Sequence, residues 1–434
     1  MILADRYNYP PEFQSNSLAA LNAAMQTAPA YSGWQALDPG PSAPLGARYD
    51  ALPELTKQIM RDNFPAGLAP DYRSIDEGLL REEIEYTFTS GTTGERVVNI
   101  WDQTWWDRAE AASWKLNNHT ALLEYPQREA KLASSLNVGI SCEEDLPMES
   151  RILGGKLYLN EKINLIQWQP RHFERMAREL RSFQPVILEA NPSLLARLAY
   201  WAIDGGVELY SPAVIVFTFE FISQIHLAAI RSVFSSALVS SYGTTETGFV
   251  LQECENGLLH QNTDFCRIDF HPLKDRYGGP ELGRMLVTTF QNPWNLVLRF
   301  DVGDLIRLHP SGECECGRSS GLIAAAIEGR ASNSTFTTSG GLVTTMALDN
   351  ALSQITGIRD YHLEQNDRSR YVLQVMLKGD ESLFTDECRQ TLESVYGRDG
   401  DFIIKAENNI LPGPAGKFRR TQANFDFDVR ELFV

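Results

Sequence analysis

From residue 130 to residue 240 short apolar runs alternate with amphipathic stretches. HFERMARELRSF sets Phe173, Met176, Ala177 and Leu180 on one helical face, and PVILEA after it is a short apolar strand. SLLARLAYWAI is a second helix, with Asn191 or Ser193 near its start as cap. VIVFTF, ISQIHLAAIRSVF and ALVSSY continue as strand, helix and strand, and KLASSLNVGI upstream is strand-like. This alternation predicts an α/β fold with a doubly wound, mostly parallel sheet. In such sheets ligands lie at the carboxyl ends of the strands.

The pattern then changes. RIDFH, GRMLVTTF, LVLRF and LIRLH are short strands broken by Gly and Pro between residues 268 and 310, and predict a β-barrel-like subdomain. Asp304 is expected to end the turn between the last two. GRASNS, residues 329–334, is a candidate hinge. After it, YHLEQ, YVLQVMLK and DFIIKAE predict strands and LFTDECRQTLESVYG a helix, a small α+β unit. Residues 1–80 read as accessory helices around a Pro- and Gly-rich loop, and LLREEIE as a helical run. The expected organisation is a large unit over 1–330, divided at 80/81 and 250/251, and a C-terminal unit over 331–434.

The chain has 434 residues, too many for one ordinary core. A net charge of −17 disfavours nucleic acid as a partner. No run of about 18 apolar residues suggests a membrane span. The N-terminus lacks a signal-peptide pattern, and six cysteines in this length do not suggest a disulfide scaffold, so the cytoplasm is the expected location. The oligomeric state is not encoded, with a homodimer one option.

Two polar loops carry candidate chemistry. YTFTSGTTG, residues 86–94, holds five Ser and Thr side chains and two glycines before the strand-like VVNIW. Its backbone N–H groups can form a nest for phosphate, the alternative being an ordinary surface turn. SSYGTTETG, residues 240–248, follows an apolar strand. Tyr242 can stack a base and Glu246 can hold Mg²⁺ through oxygen. No GxSxG, HExxH or dinucleotide GxGxxG in strand context is present.

SGTTG, YGTTE, RFDVGD (residues 299–304), IEGR (327–330) and GPAGK (413–417) follow one another in that order. The chain thereby resembles the adenylate-forming acyl-CoA synthetase superfamily, and most of all its phenylacetate–CoA ligase branch, which includes aryl-acid-activating members of antibiotic and phenazine pathways. The resemblance implies that a carboxylic acid, aryl or otherwise hydrophobic, attacks the α-phosphate of ATP. Pyrophosphate leaves, and a thiol, CoA or a carrier protein, takes the acyl group. It assigns Lys417 and Thr245 to the adenylation step, Glu246 to Mg²⁺, and Ser90, Gly91, Thr92, Thr93 and Gly94 to the phosphates. Tyr242, Gly243, Thr244 and Glu220 surround the base, while Asp304 and Arg330 take ribose or phosphate. It also implies a mobile C-terminal lid.

The chain departs from that pattern. Glu95 and Arg96 stand where Lys and Pro are common, Phe219 precedes Glu220 in the adenine motif, and Ser332 replaces the hinge aspartate. Ser339, Gly340 and Gly341 represent the lid's glycine loop. Transfer to a partner enzyme, and a degenerate nucleotide-binding protein, are the alternatives. Trp101, Trp105 and Trp106 are expected in the core, with walling an aromatic-acid pocket as the alternative. Cys254, His260, Cys314 and Cys316 offer three sulfurs and one imidazole for a structural Zn²⁺, as in members of that branch, with Cys266 as a competing ligand. An extended C-x-C would put both sulfurs on one face.

Overall fold

The computed structural model describes residues 6–88, 97–123, 127–134, 142–378, 381–413 and 416–434. One open sheet of 12 strands runs through the large unit. Its parallel part joins Lys156–Tyr158, Glu129–Leu132, Ile187–Ala190, Val214–Phe217 and Ala237–Thr244. The crossovers are the helices Pro170–Phe183, Pro192–Gly205 and Gln224–Val233. Asn191 caps the second through its side-chain oxygen, which accepts from Ser193 and Leu194 N–H. That helix is apolar on most faces and is correspondingly buried along most of its length.

The antiparallel strands expected as a barrel-like unit continue the same ladder. Ala237–Thr244 turns back into Gly248–Glu253, and Leu259–Gln261, Ile323–Arg330, Phe300–Leu308, Leu282–Thr289 and Cys266–Pro272 follow. Two expectations change here. LVLRF and LIRLH are not two strands: one strand, Phe300–Leu308, runs through DVGD. Asp304 therefore lies within a strand, directly opposite Arg330. The register with Leu282–Thr289 shifts here by a bulge, with Gly303 at φ 79° and its N–H donating to Asp301 Oδ1 at 2.9 Å. LLREEIE is also divided, between a helix ending at Leu80 and the strand Glu85–Phe88, which pairs with Val98–Trp101.

The N-terminal helices cover the antiparallel half. Tyr31 is fully buried; its hydroxyl donates to the Leu296 carbonyl at 2.7 Å, and Leu21, Tyr49 and Leu55 share a core with Val287, Phe300 and Ile323. A second core of Leu188, Leu195, Leu198 and Ile215 lies between the parallel strands and their helices. Among the described residues no helix is long and apolar enough to cross a membrane.

In the C-terminal unit the four strands Asp401–Ala406, Arg370–Leu377, Ile358–Gln365 and Thr421–Ala423 form a separate sheet, with helices Thr345–Leu352 and Glu381–Tyr396. A buried polar seam joins it to the large unit. Asp349 accepts from the Ser223 hydroxyl and from Gln224 N–H, both at 2.6 Å, and so caps the helix Gln224–Val233 from outside. Arg420 pairs with Asp360, each only 2% exposed, and donates to Ser193 Oγ at 2.9 Å. Beyond Thr421–Ala423 the chain runs back. Leu432 and Phe433 pack with Leu273, Leu282 and Leu305, and Val434 N–H donates to the Pro272 carbonyl at 3.1 Å.

Candidate active site

The hairpin between Ala237–Thr244 and Gly248–Glu253 projects Thr245, Glu246 and Thr247 from its tip. Two glycines make this turn. A Cβ on Gly243 would lie 2.2 Å from the Gly248 carbonyl oxygen, and one on Gly248 would lie 2.8 Å from the Trp105 ring. Glu246 is buried, 5% exposed, beside a cleft of about 1210 Å³. Tyr242, Gly243, Thr244, Thr245, Asp304 and Arg330 line the same cleft, with Glu220 and Lys417 across from them.

Tyr242 donates its phenolic proton to Asp304 Oδ2 at 2.8 Å, and Arg330 Nε stands 3.5 Å from Asp304 Oδ1. Burial first, and then the Asp304 carboxylate, hold the Tyr242 phenol well above its ordinary pKa. It stays a neutral ring over which a base can stack. Asp304 keeps acceptor capacity toward the cleft.

Lys417 reaches this cluster from the C-terminal unit. Its loop closes on itself, Gly413 N–H donating to the Lys417 carbonyl at 3.0 Å, and is tied to the large unit where Phe418 N–H donates to Glu220 Oε2 at 3.1 Å. Burial and then Arg330 lower the Lys417 pKa, while Asp304, Glu220 and Glu246 pull it upward. The second Glu220 oxygen, Oε1, is buried with no hydrogen-bond partner among the described residues. An acceptor orphaned in a cleft wall suits a donor group of a bound ligand. The nucleotide-site residues predicted from sequence thus converge, with one exception: Ser90, Gly91, Thr92, Thr93 and Gly94, with Glu95 and Arg96, lie outside the described residues, so their part in the site stays an expectation.

The tryptophans divide. Trp105 is core, its indole N–H donating to the Phe290 carbonyl at 2.8 Å. Trp101 and Trp106 line the cleft, their rings 4.1 Å apart, and Trp106 meets Phe249 at 4.9 Å. Phe219 adopts φ 80°, and its ring lies under the Lys131 ammonium at 5.0 Å. It faces a part of the cleft that sequence reasoning missed. Glu129 and Lys131 project from one face of their strand, and Lys131 pairs with Glu189 at 3.1 Å while Lys156 pairs with Glu129 at 3.0 Å. The signal was the alternation E-A-K-L, charged residues on one face and buried apolar ones on the other.

The cysteine cluster lies apart from these cleft residues. The ligand atoms of Cys254, His260, Cys314 and Cys316 all fall within 4.8 Å of one another. Cys254 and Cys314 sulfurs are 3.7 Å apart, and Cys316 Sγ is 3.4 Å from His260 Nε2. Tetrahedral Zn–S bonds of about 2.3 Å put two sulfurs about 3.8 Å apart, so this donor set fits zinc. Burial holds His260 at a pKa of about 4, neutral and able to ligate. The C-x-C is not extended: a turn closed by Gly317 N–H on the Cys314 carbonyl at 3.1 Å brings both sulfurs round. Cys266 is fully buried elsewhere, its thiol against the Asn262 and Val250 carbonyls, and does not join the cluster.

No family model matches the chain. Among curated proteins it is 20% identical over 386 residues to protein CapK of Staphylococcus aureus, covering 86% of this chain and 80% of that one. Among solved structures it is similar to 2-hydroxyisobutyryl-CoA ligase in the postadenylation state in complex with 2-HIB-AMP. The TM-score is 0.72 at 18% identity, over 96% of this chain and 91% of that one. The same ligase in its thioesterification state, with 2-HIB-AMP and CoA, gives 0.57 at 18% identity over 97% and 92%. The chain therefore has the fold of that ligase.

Proposed function

We propose that this chain is an adenylate-forming acid–thiol ligase of the acyl-CoA synthetase superfamily, similar to the phenylacetate–CoA ligases. The observation that carries the reading is the convergence on one cleft of Tyr242 and Glu246 from one hairpin, Asp304 from a distant strand and Lys417 from the C-terminal unit. Adenylation gathers negative charge on the α-phosphate, and a lysine and Mg²⁺ offset it. Lys417 is the cation and Glu246 the Mg²⁺ ligand. Thr245 holds the α-phosphate, and Ser90, Gly91, Thr92, Thr93 and Gly94 the outer phosphates. Tyr242 stacks on adenine, bordered by Gly243 and Thr244, and Glu220 accepts from its amine. Asp304 and Arg330 hold the ribose. The acid lies against Trp101, Trp106 and Phe249, and residues 331–434 act as the lid over the cleft.

CoA is the acceptor in the leading reading. Delivery to a carrier protein or partner enzyme is the second, favoured by one feature: the C-terminal unit is held at the seam and again by its docked tail. Cys254, His260, Cys314 and Cys316 hold a structural Zn²⁺. The cytoplasm fits six unpaired cysteines.

The test is acid-dependent pyrophosphate release with Mg²⁺–ATP across aryl and aliphatic acids, wild type beside Lys417→Ala. Release with one acid class, reduced about 100-fold in the variant, supports the reading. Nucleotide binding with no release from any acid, with or without CoA, sinks it in favour of a nucleotide-binding protein without this activity.

A further inference from the structure

Away from the Tyr242–Asp304–Arg330 cluster, the cleft is floored by charge. Lys131, Lys156 and Glu189 all line it, on adjacent parallel strands paired Glu129↔Lys156 and Lys131↔Glu189. Thr218 Oγ1 donates to Glu189 Oε1 at 3.1 Å. Above this floor the helix Gln103–Trp114 turns Trp106, Asp107 and Glu110 into the cleft. Both lysines are already matched, Lys131 by Glu189 and Lys156 by Glu129. Glu110 is not: among the described residues none donates a hydrogen bond to it, although it is largely enclosed and faces Glu189, Lys156, Glu129 and Lys131.

An unsubstituted phenyl or alkyl group would leave this arrangement poorly satisfied. It would strip water from two ion pairs and from a carboxyl without giving any of them a partner. A group that donates a hydrogen bond would use the spare acceptor. On this basis, and resting on the adenylation reading above, we propose that the acyl end of the cleft selects a carboxylic acid whose acyl group carries a hydrogen-bond donor, an amine or a hydroxyl, and that Glu110 is the specificity-determining acceptor, steadied by the Lys131–Glu189–Lys156–Glu129 ladder. The aromatic wall of Trp101 and Trp106 contacts the rest of the acyl group, and the donor points to the floor.

The titration of Glu110 agrees with this geometry. Burial, and next Glu189, push its pKa up to about 7, so it is reluctant to ionise in an empty cleft. A bound ammonium would favour the ionised form and release a proton. A bound hydroxyl would release none. Glu189 behaves oppositely: burial raises it, and Lys131 and Lys156 outweigh burial and hold it below the usual range.

The experiment measures binding, so that it does not depend on turnover. Matched 5′-O-(N-acylsulfamoyl)adenosines, stable mimics of the acyl-adenylate, are titrated calorimetrically. The acyl groups differ in one substituent: ammonium, hydroxyl, methyl or carboxylate. Expected is at least tenfold tighter binding of a donor-bearing compound than of its methyl isostere, with the preference lost in Glu110→Leu. Glu110→Gln separates the two donors, weakening the ammonium compound more than the hydroxyl one. Equal binding of the methyl and donor compounds, or a preference that survives Glu110→Leu, overturns the proposal and leaves adenylation standing. If no acylsulfamoyladenosine binds and no acid releases pyrophosphate, the adenylation reading falls and this one with it.

Discussion

Asp360 is the carboxylate on which the buried seam between the two units depends. It pairs with Arg420, and Arg197 Nη2 and His226 Nε2 each stand 3.7 Å from it. Asp360→Asn would keep the shape and remove the charge, leaving two guanidinium groups close together with little access to solvent. Breaking a buried pair by removing one partner costs about 3–5 kcal/mol. Arg420 retains its bond to Ser193 and Arg197 its bond to Asn409 at 2.6 Å, so the lower end, about 3 kcal/mol, is expected. Urea unfolding followed by far-UV circular dichroism reads the loss. The double variant Asp360→Leu, Arg420→Met should recover part of it, because the more deeply buried guanidinium leaves with its partner while Arg197 keeps its bond to Asn409. A single variant within about 0.5 kcal/mol of wild type would refute the argument, since that is the range of a neutral surface change. His226 adds a pH dependence of known sign. Burial and then Arg420 hold its folded pKa well below 6.5. Below about pH 6.5 the unfolded chain takes up a proton that the folded chain refuses, so stability is full above that pH and falls as pH drops.

Three further outcomes follow from the geometry. Gly243→Ala must displace the hairpin tip, because its Cβ would meet the Gly248 carbonyl oxygen at 2.2 Å; pyrophosphate release should fall about 100-fold while the fold survives in circular dichroism. Metal analysis should find one zinc per chain, and Cys314→Ser or a strong chelator should lower the melting temperature without abolishing nucleotide binding at low temperature. Lys417 has a pKa below that of an ordinary lysine and is needed protonated, so the adenylation rate should decline with rising pH before 10.5, and Lys417→Arg, if active at all, should lose that decline.

Much of this was legible because it follows from local pattern. The alternation from residue 130 to 240 set out the parallel strands and their helices, and Asn191 proved to be the cap. The convergence of Tyr242, Asp304 and Lys417 rested on motif order, since periodicity cannot bring residues 175 positions apart together. The misread places share a cause. DVGD has the composition of a turn, yet a bulge at Gly303 lets hydrogen bonding continue through it, a fact that belongs to the neighbouring strand and not to the sequence of this one. The C-x-C curves because Gly317 closes a turn behind it. The charged floor was invisible for a different reason: Glu129, Lys131, Lys156 and Glu189 come from three strands, and only their register makes them neighbours.

The returning tail changes what the C-terminal unit can do as a moving body. A body joined by a single link, at residues 329–334, is free to turn about any axis through that link. This one is fixed at a second point, where Leu273 bridges Phe433 and Arg284 lies over the Phe433 ring at 4.4 Å. In the proposed lid motion, once the seam of Asp349 and Arg420 opens, these two anchors leave rotation about the line joining them, and Lys417 would travel along the corresponding arc. Any larger excursion must begin with release of the last few residues. In that proposed motion, the contacts of Leu432 and Phe433 with the large unit therefore act as a brake on the Lys417 loop, and Phe433→Ala would lengthen the arc before it altered any residue of the cleft.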